Sequence, residues 1–241
     1  MGIRYSRSSV KNLNFGQERN PSIFDPMYLV KAPFWFSWIY PQLLWRVPTR
    51  EKVLYLTFDD GPHETATPFV LDQLKAYQAK ASFFCIGKNV LARRALYERI
   101  LAEGHRVGNH TQHHMNGWKN TEAEYLADVA EAAKWIASNL FRPPYGRIRR
   151  AAISKVKELV ENPGSALVGT PAKIVMWDVL SGDFDTTIDG EQCFQNVLRH
   201  ARPGSIIVFH DSAKAWDRMS VALPKLLKYY TEKGYRFEVI P

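Results

Sequence analysis

Short apolar runs and longer stretches of helical character alternate along most of this 241-residue chain. Each apolar run is long enough for one strand, and most neighbouring runs are separated by enough residues for a helix. This alternation is typical of parallel strands joined by crossover helices, so it predicts an α/β fold. The predicted strands lie near residues 53–58, 81–86, 105–108, 140–142, 173–177, 205–209 and 236–240. The predicted helices cover residues 67–77, 88–102, 121–139, 149–161, 190–201 and 220–233.

Polar clusters follow several of the predicted strands, and the sharpest of them is Thr57-Phe58-Asp59-Asp60-Gly61-Pro62. The apolar run before it predicts a buried strand, which two carboxylates and a Gly-Pro pair end abruptly. A buried strand end is a poor place for charge unless a positive group lies there. Asp-Gly is also ordinary turn chemistry, so the alternative is that both aspartates are turn residues that cap a following helix.

The second cluster is Gly108-Asn109-His110-Thr111-Gln112-His113-His114. His110 and His114 are four residues apart, so they can share one face of a helical turn and converge on a cation. Two imidazoles and one carboxylate form a recurrent ligand set for catalytic zinc or a similar divalent ion. His113 can equally pair with His110, and a histidine-rich loop is also common on solvated surface.

With these two clusters the chain resembles the family 4 carbohydrate esterases, the polysaccharide deacetylases that carry the NodB-homology domain. The resemblance covers residues 51–241. The segment Thr57–Gly61 matches the family's first motif, and His110–His114 matches the second, His-Ser/Thr-x-x-His. By position, the resemblance implies that Asp60, His110 and His114 are metal ligands and that Asp59 is the general base. His113 falls on a variable position of the motif and receives no role.

Three further matches follow in the family's order. Phe141-Arg142-Pro143-Pro144-Tyr145-Gly146 resembles the third motif, whose arginine orients the base and whose backbone amide, here near Tyr145, helps to hold an oxyanion. The segment 177–184 resembles the fourth motif, which usually ends Asp-Trp but here ends Asp183-Phe184, without the indole N–H donor. The segment 207–211 resembles the fifth, Leu-x-His, with valine in the leucine's place. The resemblance makes His210 the general acid and Asp183 the residue that tunes its pKa.

The resemblance also implies a fold and an activity. The fold is a single-domain distorted (β/α) barrel with about seven parallel strands, and each cluster lies at the carboxyl end of a strand, where such barrels assemble their sites. The activity is metal-dependent removal of acetyl groups from N-acetylated or O-acetylated oligo- or polysaccharide, with Zn²⁺ expected and Co²⁺ or Ni²⁺ as alternatives. Two other functions stay open: hydrolysis of a non-sugar amide on the same fold, and a catalytically silent carbohydrate-binding relative.

Residues 1–50 are predicted to be an N-terminal extension of a catalytic domain at 51–241. Residues 33–45 are rich in aromatic side chains, but two prolines and the short span argue against a transmembrane helix. The favoured interpretation is that this aromatic segment packs across the bottom or the outside of the barrel. The alternative is that the segment, which Lys31 and Arg46 flank, contacts a membrane surface. Residues 1–20 contain no apolar stretch of signal-peptide length, which predicts a cytoplasmic protein, or an exported one whose native start is missing.

The net charge of +8 raises the question of a nucleic-acid partner. Lysine and arginine are dispersed over the predicted helices and no recognition module is present, so no such partner is expected. The one local cluster, Arg147-Ile148-Arg149-Arg150, follows the third motif. It is interpreted as a solvated helix start, and the alternative is that it favours an anionic glycan.

Local signals complete the prediction. Thr121 and Glu124 form a capping box at the start of one helix, and Gly234 ends the last helix. Cys85 and Cys193 are interpreted as buried small hydrophobes rather than a disulfide pair. The turn-rich stretch at residues 162–172 is interpreted as a structural insertion on the barrel face away from the chemistry.

Overall fold

The computed structural model describes residues 28–161 and 171–241. Nine strands are present in this part of the chain: β1 Leu43–Leu44, β2 Val53–Asp59, β3 Ala81–Cys85, β4 Arg106–Asn109, β5 Leu140–Phe141, β6 Lys173–Val175, β7 Val179–Leu180, β8 Ile206–His210 and β9 Arg236–Phe237. The helices are α1 Phe36–Ile39, α2 Ala66–Ala76, α3 Gly87–Ala92, α4 Arg94–Ala102, α5 Glu122–Ala133, α6 Ala152–Val160, α7 Gly190–His200 and α8 Trp216–Glu232, with a 3₁₀ turn at Pro144–Gly146.

The strands form one curled parallel sheet. Eight of them follow the order β1-β6-β5-β4-β3-β2-β8-β7, and β9 pairs with β2. Parallel register places Asp59 opposite both Phe84 and His210, so the carboxyl ends of β2 and β8 lie side by side. This architecture confirms the predicted distorted (β/α) barrel.

The alternation of side chains along each strand divides the core into two parts and positions the site. In β2, Leu54, Leu56 and Phe58 pack against the outer helices, whereas Val53 and Tyr55 belong to a cluster inside the barrel. Since successive side chains point to opposite faces of a sheet, the positions that continue the inner series end at Asp59. The same parity in β8 begins at Ile206 and ends at His210.

Four details of the predicted elements are corrected. The strands β1 and β7 were not predicted: the residues of β1 were assigned to the N-terminal extension and those of β7 to the fourth motif. The helix predicted at 88–102 is two helices, since the backbone of Arg93 leaves the helical region at φ −136° and ψ 50°. The helix predicted at 121–139 ends at Ala133, and Ser138 then ties the chain to β4 by donating to the Val107 carbonyl. The last helix begins at Trp216 rather than at 220.

Several local predictions are confirmed. Thr121 and Glu124 form the reciprocal capping box of α5. Gly234 has a φ of 77°, the left-handed conformation that favours glycine after a helix. Both cysteines are buried and free. Most of the predicted insertion, residues 162–170, lies outside the described residues.

Residues 28–47 take part in the sheet. The Leu180 N–H donates to the Val30 carbonyl, so the start of this segment runs along β7. β1 then pairs with β6, and the Val47 N–H donates to the carbonyl of Gly204, just before β8. The predicted boundary at residue 50 stays a prediction, but residues 28–47 pair with strands on its far side. Residues 1–27 of the predicted extension lie outside the described part.

Within residues 28–161 and 171–241, no helix combines the length and the hydropathy that crossing a membrane requires.

Candidate active site

The carboxyl ends of the strands open into a cleft with a volume of about 360 Å³. Six of the eight residues predicted to form the site line this cleft: Asp59, Asp60, His110, His114, Tyr145 and His210. The other two lie behind it and contact the lining residues, Arg142 behind Asp59 and Asp183 behind His210. The structure therefore brings all eight predicted residues together, although they come from five separate segments.

Asp60, His110 and His114 form a group that can hold a metal ion. Their ligand atoms all lie within 4.8 Å of one another. Asp60 Oδ1 is 3.2 Å from His114 Nε2 and 3.8 Å from His110 Nε2. Within the described residues, this buried oxygen has no hydrogen-bond partner. A buried carboxylate oxygen facing two imidazole nitrogens lacks a positive group, so the three residues fit a divalent cation.

The hydrogen bonds and burial of the histidines suit them to be ligands. His110 Nδ1 donates to the Arg142 carbonyl at 2.7 Å, which leaves the lone pair of Nε2 facing Asp60. Burial, with a smaller contribution from His114, lowers the pKa of His110 to about 3. Burial also lowers the pKa of His114, whose Nδ1 forms a 3.1 Å hydrogen bond with the Tyr145 hydroxyl. Both imidazoles are therefore neutral near pH 7, the state that binds metal.

In the same cleft, Asp59 is held by a buried arginine. Arg142 NH1 donates to Asp59 Oδ1 at 2.6 Å and to Thr57 Oγ1 at 2.8 Å. The other guanidinium nitrogens donate to the carbonyls of Val175 and Met176, so each arm of the side chain has a partner. Arg142 is fully buried. It thus supplies the positive group that a carboxylate at a buried strand end requires, and it fixes the orientation of that carboxylate.

Next to Asp59 on the neighbouring strand β8, His210 is fixed by Asp183. Asp183 Oδ1 lies 2.7 Å from His210 Nδ1, and its Oδ2 accepts from the His210 backbone N–H at 2.7 Å. Burial alone lowers the pKa of His210, but the charge and hydrogen bond of Asp183, together with the charges of Asp60 and Asp59, outweigh it and raise the pKa to about 10. His210 is therefore a protonated imidazolium whose Nε2 is free to donate a proton.

The loop that carries the two histidines has an unusual backbone. Thr111 and His114 have positive φ angles of 65° and 59°, which cost energy in residues other than glycine. Asp128 of α5 holds this loop by accepting from the backbone N–H groups of Gln112 and His113 at 3.0 Å each. The ring of His113 also bonds to Asp128, at 2.6 Å. His113 therefore supports the loop, whereas the three-residue group contains His110 and His114.

Four further residues at the site were not predicted. Tyr28 and Lys214 line the cleft beside Phe184, and Tyr28 lies 4.9 Å from Phe184 between ring centroids. No sequence signal marks Tyr28, because it reaches the cleft only through the pairing of residues 28–32 with β7. Lys214 is likewise an ordinary helix-flanking lysine in the sequence.

The other two could have been found from their position in the motifs. Thr57 begins the first motif, and its hydroxyl links Arg142 to the Ile207 carbonyl. Asp211 follows His210 directly and accepts from the Gly61 N–H at 3.0 Å. Burial raises the pKa of Asp211 to about 8, and its carboxyl ties the fifth motif to the first.

Comparisons with known proteins identify the relatives of this chain. The sequence profile described as polysaccharide deacetylase matches residues 46–160. A peptidoglycan-N-acetylglucosamine deacetylase of Bacillus cereus is 34% identical over 202 residues, which cover 81% of this chain and 90% of the relative. A chitooligosaccharide deacetylase of Azorhizobium caulinodans is 30% identical, with 81% of this chain and 96% of the relative covered.

A solved structure is similar as well. The crystal structure of a peptidoglycan N-acetylglucosamine deacetylase in complex with 4-naphthalen-1-yl-N-oxidanyl-benzamide superposes with a TM-score of 0.76 at 31% identity. The superposition covers 87% of this chain and 95% of the other. The sequence, the fold and the arrangement of the site thus point to the same group of proteins.

Proposed function

This chain belongs to the polysaccharide deacetylase family, and we propose that it is a metal-dependent hydrolase that removes acetyl groups from N-acetylated sugars of a glycan. The observation that carries the proposal is the position of the Asp60, His110 and His114 group. It shares one cleft with Asp59, which Arg142 holds, and with His210, which Asp183 holds. Such an arrangement offers a metal site, a base and an acid to one bond.

Asp60, His110 and His114 would hold the divalent ion. When bound, such an ion supplies a Lewis acid for the carbonyl of the acetyl group and lowers the pKa of water. Zinc fits two neutral imidazoles and one carboxylate, and cobalt and nickel accept the same ligands.

Asp59 is proposed to be the general base. Its Oδ1 is occupied by Arg142, and the carboxylate lines the cleft, so the remaining oxygen is available to take a proton from the attacking water. The fixed orientation set by Arg142 lowers the cost of bringing base and water together. The backbone N–H of Tyr145 is proposed to donate to the oxygen of the acetyl carbonyl as negative charge develops there.

His210 is proposed to be the general acid. The amine leaving group of an amide must be protonated before it departs, and His210 holds a proton near neutral pH because of Asp183. The apolar wall made by Trp177, Leu180 and Val208 lines the same cleft and can receive the methyl of the acetyl group.

N-acetylglucosamine of peptidoglycan is the substrate that we propose first. The Bacillus cereus relative is named for that substrate, whereas the relative from Azorhizobium caulinodans is named for chitooligosaccharides. Both substrates present an N-acetyl group on a β-linked glucosamine, so the same site chemistry serves either.

Acetate release tests the proposal. Peptidoglycan fragments, N-acetylglucosamine oligomers and acetylated xylan are incubated with the chain after chelator treatment and again after addition of zinc or cobalt. We expect release from an N-acetylated substrate only with metal, and none from His114→Ala, which lacks a ligand. Release of acetate that chelator does not reduce would contradict metal dependence. No release from any substrate, with metal bound, would favour a non-sugar amide substrate or a silent relative.

A further inference from the structure

Five large hydrophobic residues that are exposed to solvent lie close together in the sequence, within residues 34–40. Phe34 and Trp38 are 68% and 74% exposed, and Trp35, Ile39 and Tyr40 are exposed as well. Most other exposed apolar side chains in the described residues are scattered singly, which is normal for a protein surface. A contiguous group of this kind marks an interaction surface.

Packing against Trp45 and the core holds this aromatic group in place. Phe36 packs against Trp45 with ring centroids 5.2 Å apart, and Trp45 Nε1 donates to the Tyr40 carbonyl at 3.3 Å. Trp45 in turn packs against the buried cluster that includes Leu43 and Ile174. The exposed side chains of α1 therefore project from an anchored turn.

One arginine contacts the aromatic group, and two more lie within three residues of it in the sequence. Arg150 donates to the Ile39 carbonyl at 3.1 Å and places its guanidinium carbon 5.6 Å from the ring centroid of Tyr40. Arg147 lies over the exposed ring of Trp118 at 4.1 Å, and Arg149 donates to the Trp118 carbonyl. In the described part of the chain, none of these three arginines has a carboxylate partner. Arg150 thus places positive charge next to the aromatic group, and the two neighbouring arginines add to it.

We propose that this aromatic–arginine surface, made of Phe34, Trp35, Trp38, Ile39, Tyr40, Trp118 and the arginines 147, 149 and 150, docks on an anionic lipid bilayer. Aromatic rings are favoured at the level of the headgroups, and arginines beside them attract anionic lipids. The net charge of +8 gives the whole chain the matching sign.

The arrangement of the rings favours a bilayer over a glycan strand. Phe34 and Trp38 meet edge to face at 85°, and so do Trp35 and Phe36. Perpendicular rings offer no common flat platform on which successive sugars could stack. Together with Ile39 they form an apolar projection that can enter the boundary between headgroups and acyl chains.

The test uses the full chain and large unilamellar vesicles, of phosphatidylcholine alone or with about one third phosphatidylglycerol. We expect binding to the anionic vesicles, and weaker binding to phosphatidylcholine and at high salt. The double variant Phe34→Ser/Trp38→Ser should reduce partitioning onto anionic vesicles at least about tenfold, because it removes the apolar part of the surface. Leu91→Ser/Leu101→Ser, which changes two exposed apolar residues elsewhere, is the matched control and should bind as the parent chain does.

Two controls make the outcomes distinct. Circular dichroism and acetate release from a soluble substrate should be the same for the parent chain and both variants, since none of the four positions lies in the cleft. Failure of the parent chain to bind anionic vesicles, or equal binding by both double variants, would overturn the proposal. The proposal would also be overturned if the variant Phe34→Ser/Trp38→Ser bound vesicles as the parent chain does but was no longer retained on lipid-free peptidoglycan. That result would mean that the surface binds glycan.

Discussion

Asp59 and Asp60 are neighbours in the sequence, but the fold gives them different environments. Asp59 continues the inward-facing series of β2 and meets Arg142, whereas Asp60 has a φ of 80° that turns its side chain toward the histidines. The left-handed backbone at Asp60 is costly, and it allows two adjacent carboxylates to face two different partners. One can then act as base while the other binds the cation.

Asp59→Asn tests this division. The amide cannot accept the proton from water, so we expect kcat to fall by about 10²–10⁴-fold. Metal binding should persist, because Asp60, His110 and His114 are untouched. Acetate release and zinc content are measured together with the melting temperature, since the variant leaves the buried charge of Arg142 without its carboxylate. Near-normal turnover in a folded, zinc-loaded variant would show that Asp59 is not the base.

Asp183→Asn tests whether Asp183 keeps His210 protonated near neutral pH. The pKa of His210 is raised to about 10 because Asp183, with smaller contributions from Asp60 and Asp59, outweighs burial, so without the charge of Asp183 we expect that pKa to fall. A general acid works only while protonated, so activity is lost as the pH rises through its pKa. The alkaline limb of kcat/KM should therefore move at least about one pH unit lower.

The matched control for that pH profile is Asp185→Asn. Asp185 lies two residues further along and accepts from Tyr28 at 3.1 Å rather than from His210. A bound cation affects the parent chain and both variants alike, so the difference between their profiles is the readout. An alkaline limb that stays in place in Asp183→Asn would assign the limb to another group.

At the scale of elements, the histidine loop depends on α5. Asp128 accepts two backbone N–H groups of the loop, and Asn109 connects its own side chain to the Val129 carbonyl of the same helix. Asp128→Ala removes the acceptor but leaves every metal ligand in place. We expect zinc affinity to fall by about tenfold, as is usual when a residue that orients ligands is lost.

His113→Ala is the comparison for the loop. It removes the ring contact with Asp128 but keeps the two backbone hydrogen bonds, so zinc affinity should change much less. Competition with a chromophoric zinc chelator measures both variants. An equal loss of zinc affinity in Asp128→Ala and His113→Ala would mean that the ring contact, and not the backbone hydrogen bonds, holds the loop.

The elements show what the sequence could and could not predict. The apolar runs of β2 and β8 are local signals, so both strands follow from residue order, whereas the inner position of Asp59 and His210 is known only from the packing of the strands. The pairing of residues 28–32 with β7 is a contact between distant segments, which no local pattern records. Tyr28 was missed for that reason, whereas the eight predicted residues were found because recognisable motifs carry them.

At the scale of the whole molecule, residues 28–47 are an integral part of the barrel. Leu43 is buried in the cluster between the sheet and the helices α5 and α6, so Leu43→Ala should lower the free energy of unfolding by about 2–5 kcal/mol. The control is Leu29, which lies in the same segment but is exposed. Leu29→Ala should change the free energy of unfolding by less than about 0.5 kcal/mol. Denaturant unfolding measures both. If Leu43→Ala were equally harmless, the segment would be an appendage.

Metal binding should stabilise the entire fold, because Asp60 follows β2 while the histidines follow β4, and β3 lies between these strands. A ligand that binds only the folded state at about 100 times its Kd adds about 2.7 kcal/mol. For a chain of this length that corresponds to a rise in Tm of about 5–11 °C. Thermal unfolding with chelator and then with zinc measures the shift.

His114→Ala serves as the control for the thermal shift. It removes one of the three ligands, so zinc at the same concentration should leave its Tm nearly unchanged. An equal rise in both proteins would place the stabilising zinc elsewhere on the chain, and no rise in the parent chain would contradict the assignment of these residues as a metal site. The expected difference between the two proteins requires no substrate, so it tests the site independently of the deacetylase activity.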